Sequence, residues 1–358
     1  MSDSSSAMSD EAERLEAISE IGDTPVEDAL PKNNWKSLAA RLAGSIAMLA
    51  ILFWRLPHVS LSDVVPEANA NTFKWITIAV VIHVVAYVLQ TLRWHQVSTT
   101  LGLHTPFQRM FGFLLAGEFV SNALPTSVGG DVVRVVRQGN DTGDYADAFA
   151  ATGLERLTGW LVLPLISAAA LILRPSLLSL GGASLAAVII NIMTVVALVG
   201  ILWLAGHRRG AGRMVGIGGW RRYLGAVHLG VVAFRHKQMQ VVSVLAAGVG
   251  FQFLQCLSVL CAAKALRLDS IDLIVVMAFF PPAAIIQNLP IALGGLGVRE
   301  GAFVVFFGAL GVADSSAIAL GLLVYIVFII ASLAGAPSFV MHRAQTRLPK
   351  EKTPSRHA

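Results

Sequence analysis

Asn122–Arg134 reads NALPTSVGGDVVR, and Asn288–Arg299 reads NLPIALGGLGVR. From Pro125 the pair Gly129 and Gly130 follows at four and five positions and Arg134 at nine; from Pro290 the offsets to Gly294, Gly295 and Arg299 are the same. The flanks match as well. GDYADAFAATGLER begins at Gly143 and GVADSSAIALGLLVY at Gly311, each a Gly, then Ala-Asp, then a small-residue run entering a long apolar segment. Shared offsets with matched flanks point to internal duplication rather than to two loops that adopted the same breakers independently.

The duplicated stretch lies in an apolar chain. Of its 358 residues 55% are hydrophobic and 14% charged, and the mean hydropathy is +0.67, whereas soluble domains carry about 25% charged residues. This is the composition of an integral membrane protein. The net charge of +5 conceals an acidic, Ser-rich N-terminus and basic later segments; the basic side is expected to face cytoplasm and anionic lipid, not nucleic acid. Cys256 and Cys261 lie five apart without a CxxC, so they read as packing residues, and the nine His show no metal spacing. Neither a metal nor another cofactor is expected.

A spanning helix needs about 20 mostly apolar residues. That rule places spans near 38–56, 73–92, 147–172, 184–205, 239–266 and 315–341. Two apolar pieces, roughly 107–124 and 272–311, are interrupted by the Pro and paired Gly. The fold expected is therefore an all-α polytopic membrane protein with about six full spans and two re-entrant or broken helical hairpins arranged as an inverted repeat. Residues 1–36 read as a disordered acidic cytoplasmic tail, 37–341 as the transmembrane domain and 342–358 as a basic cytoplasmic tail. Within the domain, repeat 1 covers about 73–205 and repeat 2 about 238–341. The basic loop between them, 206–237, places its side in the cytoplasm. Both termini are then cytoplasmic in a multi-pass cell-membrane protein, the first interrupted piece opening from the cytoplasm and the second from outside; full crossings would raise the count to about eight.

Pro and paired Gly break a helix, and broken backbone at membrane depth is tolerated only inside protein or beside a wet cavity. Inverted repeats with broken helices are an architecture of transporters, with a site near the midplane between the halves. Asp131 stands where an N-cap would, ahead of Arg134 and Arg137 on one face of a short helix; Gly-rich amides with guanidiniums suit a phosphate headgroup. Asp131 would repel an anion unless it pairs with an Arg, and capping alone is the other reading. Glu118, Glu155 and Arg156 lie deep in apolar segments, where charge must face the interior and be partnered. Arg156 is expected to pair with Asp131 or Glu118, and Glu155 with a motif Arg; a purely structural ion pair is the alternative. Arg299 and Glu300 point about 100° apart on a helix, so one is expected to bind substrate and the other to hold the repeat interface. His83 reads as a packed core residue. The candidate binding set is Glu118, Asn122, Pro125, Gly129, Gly130, Asp131, Arg134, Glu155, Arg156, Asn288, Pro290, Gly294, Gly295, Arg299 and Glu300.

On LPTSVGGDVVR from Leu124, LERL from Leu154 and LPIALGGLGVREGA from Leu289, the chain resembles the flippase-like family typified by the transmembrane region of lysylphosphatidylglycerol synthases, the multiple peptide resistance factors, over about 38–341. The resemblance implies a non-enzymatic membrane protein that moves an anionic or modified phospholipid, or a lipid-linked sugar, between leaflets. The sequence continues only as a short basic tail after this region, so lipid aminoacylation is not expected. Arg156 falls opposite Tyr325, which puts strict equivalence of the halves in doubt. Membrane lipids with anionic headgroups are the expected partners, along with self-association and a glycosyltransferase or lipid-modifying enzyme; a non-transporting partner of such an enzyme is the alternative function.

Overall fold

The computed structural model describes residues 69–123, 129–206, 237–288, 295 and 297–335. The tails, the span expected near 38–56, the basic loop at 207–236, and Pro125, Pro290 and Gly294 lie outside the described residues. Among the described residues the secondary structure is all helical: α1 Ala70–Thr100, α2 Phe107–Ala123, α3 Gly129–Thr142, α4 Tyr145–Leu173, α5 Gly182–Gly206, α6 Gln238–Ala265, α7 Leu273–Gln287, α8 Val298–Gly308 and α9 Asp314–Ser332, with 3-10 turns at Pro175–Ser179 and Leu333–Gly335. Five segments are long and apolar enough to cross a membrane: α1, α4, Gly182–Ile201 of α5, α6 and Asp314–Gly335. They correspond to five of the six spans read from the sequence.

Short polar side chains fix the helix starts. Asn69 accepts from the Thr72 amide at 2.9 Å, Asp144 from Ala146 at 2.9 Å and Asp272 from Val275 at 3.0 Å, satisfying amides that the first turn leaves without intrahelical partners. Two helix ends share one closure. After α1, Leu103 N–H donates to the Ser98 carbonyl across Gly102 (φ +87°); after α6, Leu268 N–H donates to the Ala263 carbonyl across Arg267 (φ +56°). Both are left-handed helix stops of the Schellman type.

α1 and α6 run antiparallel. Thr72 Oγ1 donates to the Ala265 carbonyl at one end, Ser258 Oγ donates to the Ala79 carbonyl at 2.9 Å, and at the other end Gln96 Nε2 donates to Ser243 Oγ at 2.9 Å. α2 and α3 form a hairpin, since Arg109 near the start of α2 pairs with Asp141 near the end of α3 at 2.6 Å. Toward the tip, a Cβ on Gly117 would lie 2.8 Å from the Gly130 carbonyl, so only glycine allows that approach. α7 and α8 form a second hairpin through Phe279 on Phe306 and Phe280 on Phe303.

The prolines of α7 organise a three-helix junction. Pro282 has no N–H for the Ala278 carbonyl, its normal partner four residues earlier. Ser167 Oγ of α4 donates to that carbonyl instead at 2.6 Å and accepts from Asn191 Nδ2 of α5 at 2.7 Å. Around this junction packs the larger apolar core, including Phe279, Phe280, Phe303, Phe306 and Phe307. Val81, Val85, Leu185, Ile192, Val196, Val242 and Val249 are exposed on the outer faces, a surface suited to hydrocarbon rather than water.

Candidate functional site

Among the described residues, a cavity of about 230 Å³ lies where both hairpins meet the middles of α1 and α6. α1 contributes His83, Tyr87, Gln90 and Arg93; the tip of α2 contributes Glu118, Ser121 and Asn122; α6 contributes Phe251, Gln252 and Gln255; and the second hairpin contributes Gln287, Asn288 and Gly295. Glu155, Arg156, Gly159 and Trp160 of α4 and Phe328 of α9 complete much of its wall. The two similar stretches therefore border the same space, through Asn122 on one side and Asn288 and Gly295 on the other.

One wall carries a chain of charges that runs back into the protein. Arg93 Nε donates to Glu155 Oε1 at 2.9 Å, Arg134 Nη2 donates to Glu155 Oε2 at 3.0 Å, and Arg134 Nη1 reaches Asp131 Oδ1 at 3.4 Å. Arg156 closes the chain by pairing with Asp131 as a charge contact rather than an aligned hydrogen bond. Three arginines and two carboxylates thus share one network, with Glu155 and Arg134 each only 1% exposed. Arg134 lies over the Trp94 ring at 4.3 Å and Arg93 over Phe251 at 5.4 Å, so aromatic faces supply part of the environment that water would give a guanidinium. Glu118 stands apart, its Oε1 accepting from Gln90 Nε2 at 3.3 Å.

The pairings of Arg156 with Asp131 and of Glu155 with Arg134 follow the sequence reading. Asp131 requires a correction: α3 begins at Gly129, so Asp131 lies inside its first turn and carries two ion pairs instead of serving as the N-cap. A second correction concerns Arg299 and Glu300, expected to serve different partners. Arg299 Nη2 donates to Glu300 Oε1 at 2.8 Å, while Glu300 Oε2 accepts from the Gly297 amide at 2.6 Å. Adjacent Cα–Cβ vectors diverge, but two long side chains curl back far enough to meet, and a third-position Glu is well placed to reach the start of its helix. Both are fully buried, with Arg299 5.2 Å from the Tyr325 ring centre.

Of the candidate set, Glu118, Asn122, Glu155, Arg156, Asn288 and Gly295 line the cavity; Gly129, Gly130, Asp131, Arg134, Arg299 and Glu300 lie outside its lining. Arg93 lies one residue beyond the span expected at 73–92, whereas α1 continues to Thr100, so hydropathy alone does not mark it as buried. Its guanidinium passes between glycines: a Cβ on Gly159 would stand 3.0 Å from both terminal nitrogens and one on Gly248 3.3 Å from Nη1. The cavity glutamines carry no charge and break no helix; the signal that could have found them is the repeat offset itself, since Gln255 follows Gln90, and Gln287 follows Asn122, by the 165 positions that separate Pro290 from Pro125. His83 is buried and stacks on Phe328 at 4.2 Å, yet it also borders the cavity.

A family model for the lysylphosphatidylglycerol synthase transmembrane region matches residues 38–335. The chain is also similar to a UPF0104 membrane protein of Methanothermobacter thermautotrophicus, 27% identical over 297 residues that cover 76% of this chain and 85% of that protein. No solved structure matches the chain.

Proposed function

The chain belongs to the lysylphosphatidylglycerol synthase transmembrane-region family, and from that premise we propose that it is a flippase-like transporter of the cell membrane that carries a lipid headgroup through the central cavity while the acyl chains stay in the bilayer. The headgroup belongs to an anionic or modified phospholipid or to a lipid-linked sugar. One observation carries this reading: the tips of two similar broken-helix units meet at a polar cavity halfway along the antiparallel pair α1 and α6.

The inverted-repeat arrangement draws support from the same contacts. Leu101–Gly102–Leu103 and Leu266–Arg267–Leu268 carry the same helix stop 165 positions apart, the separation of Pro125 from Pro290 and of Arg134 from Arg299. α1 and α6 are then equivalents, and equivalents that run antiparallel are inverted with respect to each other. Gly143 (φ +80°) and Gly311 (φ +81°) close α3 and α8 in the same left-handed conformation before a long apolar helix. On this reading α2–α3 enters from the side of the basic loop, the cytoplasm, and α7–α8 from the opposite face, with the termini cytoplasmic. The protein acts by alternating access around the site rather than by covalent chemistry.

Reconstitution tests this directly. Vesicles carrying the full chain are expected to exchange fluorescent phospholipid or isoprenoid-phosphate sugar between leaflets faster than protein-free vesicles. Arg156→Gln, at a side chain 41% exposed, is expected to slow exchange severalfold without unfolding the protein. Exchange equal to protein-free vesicles would overturn the reading and favour a scaffold for a lipid-modifying enzyme.

A further inference from the structure

Both guanidiniums that border the cavity already have carboxylate partners: Arg93 is held by Glu155 and Arg156 by Asp131. Glu118 makes no direct ion pair among the described residues, its Oε1 accepting from the Gln90 amide while the Arg134 and Arg156 guanidiniums act on it at longer range. A phosphate entering here would have to displace a carboxylate from an arginine and then lie beside the Glu118 carboxyl oxygens, which accept rather than donate. The charge pattern therefore disfavours an anion at the centre of the cavity.

What the lining offers instead is carboxamide: Gln90, Gln252, Gln255, Gln287, Asn122 and Asn288. Among the described residues, Gln90 Oε1 and Gln287 Oε1 are buried without a hydrogen-bond partner, as is His83 Nδ1, and Gln252 Nε2 has only the weak acceptor of the Cys256 sulfur beside it; Gln252 and His83 are 4% and 2% exposed. Gln90 keeps its donor end on Glu118 and offers its oxygen, Gln287 offers its oxygen and Gln252 its nitrogen, so the ring presents acceptors and a donor together. A hydroxyl is the group that both donates and accepts, and several on one small scaffold match a ring of amides better than either a phosphate, which only accepts when ionised, or an ammonium, which only donates. Tyr87, Trp160 and Phe251 add faces for the C–H edges of such a scaffold. The volume is below the roughly 300–1,000 Å³ of drug-sized ligand pockets, the scale of a single headgroup.

The carboxamides are also distributed between the halves. Gln255 follows Gln90 by 165 positions and Gln287 follows Asn122 by 165, the spacing of the duplication. Each half thus presents an amide on its long helix and another at its hairpin tip, so a headgroup passed from one half to the other meets the same chemistry on both sides.

We propose that the cavity recognises an uncharged polyhydroxylated headgroup through these carboxamides, the chemistry of a glycosyl lipid or of the terminal glycerol of phosphatidylglycerol, with any phosphate held outside the ring. The proposal rests on the transport reading above, which sets where the headgroup goes.

The full chain is reconstituted with three lipids that share a labelled acyl chain: glucosyl diacylglycerol, phosphatidylglycerol and phosphatidic acid. At least one polyol lipid is expected to exchange tenfold faster than phosphatidic acid, and the faster of the two identifies the source. Gln252→Leu and Gln287→Leu are expected to cut that rate about tenfold, to the level of phosphatidic acid, with thermal midpoints near wild type. Phosphatidic acid moving as fast as both polyol lipids, or variants slowing all three alike while still folded, overturns the headgroup assignment and leaves transport standing. If none moves above protein-free vesicles, transport fails, and the assignment is decided by thermal shift in detergent. A stabilisation by methyl glucoside or glycerol, absent with inorganic phosphate and lost in Gln252→Leu, upholds it; no such shift overturns it.

Discussion

At the scale of residues, Glu155 is the member of the charge network on which two buried guanidiniums depend. Removing one partner of a buried ion pair leaves an uncompensated charge, at a cost of about 3–5 kcal/mol. Glu155→Gln is therefore expected to lower the thermal midpoint in detergent markedly, with Arg93→Gln in the same chain recovering part of the loss by removing one stranded cation. A midpoint for Glu155→Gln within error of wild type would show that the network does not lock α1, α3 and α4 together. Asp131 is the more forgiving site, since its pair with Arg156 is partly solvated, at 20% and 41% side-chain exposure, and its contact with buried Arg134 is long at 3.4 Å.

Helices show the same logic in backbone terms. α7 tolerates Pro282 because Ser167 supplies the donor that the proline lacks, so Ser167→Ala strands the Ala278 carbonyl in an apolar core. An unsatisfied buried acceptor costs about 1–3 kcal/mol, and urea or thermal unfolding should register that loss; Ser167→Thr, which keeps a hydroxyl, should retain most of the stability. Asp272, outside the spans, caps α7 and pairs with Arg174 at 2.7 Å. Partial burial pushes its carboxyl up, but the Val275 amide and the Arg174 guanidinium outweigh that and hold it below its ordinary 3.8. A depressed carboxylate stabilises the fold above its ordinary pKa, and that contribution fades as pH falls through the lower folded value. Wild type and Asp272→Asn should thus differ in thermal midpoint near neutrality and converge in acid; a gap that widened in acid would reverse the assignment.

For the molecule as a whole, the decisive relation is the antiparallel run of α1 against α6. In a chain with Cys256 and Cys261 replaced by Ala, Gln96→Cys with Ser243→Cys is expected to cross-link under mild oxidation, because their side chains meet at 2.9 Å. Gln96→Cys with Lys264→Cys, the pairing that a parallel run would favour, is expected to stay open. Topology is tested with exposed positions after the two hairpins: Asn140→Cys and Ala313→Cys should react with an impermeant maleimide from opposite faces of the membrane. Labelling of both from one face would rule out an inverted repeat.

Much of the architecture was legible in the chain itself. Hydropathy located α1, α4, α5, α6 and α9, since a spanning helix must be apolar along its length, and the Pro and Gly offsets announced two similar broken units before any contact was known. The depth of Glu155 and Arg156 in an apolar run required partners, and Arg134 and Asp131 stand among those it offered, whereas Glu118 does not pair with Arg156 and Arg93 carries no motif signal. Sequence could not supply the neighbours of neutral groups. Gln90, Gln252, Gln255 and Gln287 share a cavity because an antiparallel helix pair and two hairpin tips bring four separate segments to one depth, and no local pattern records such a meeting. The same holds for Ser167 answering Pro282 and for Arg299 folding back on Glu300. Periodicity and solvation energy are properties of a segment and can be read along the chain; who satisfies a buried amide or carbonyl depends on distances between segments, which the tertiary structure alone decides.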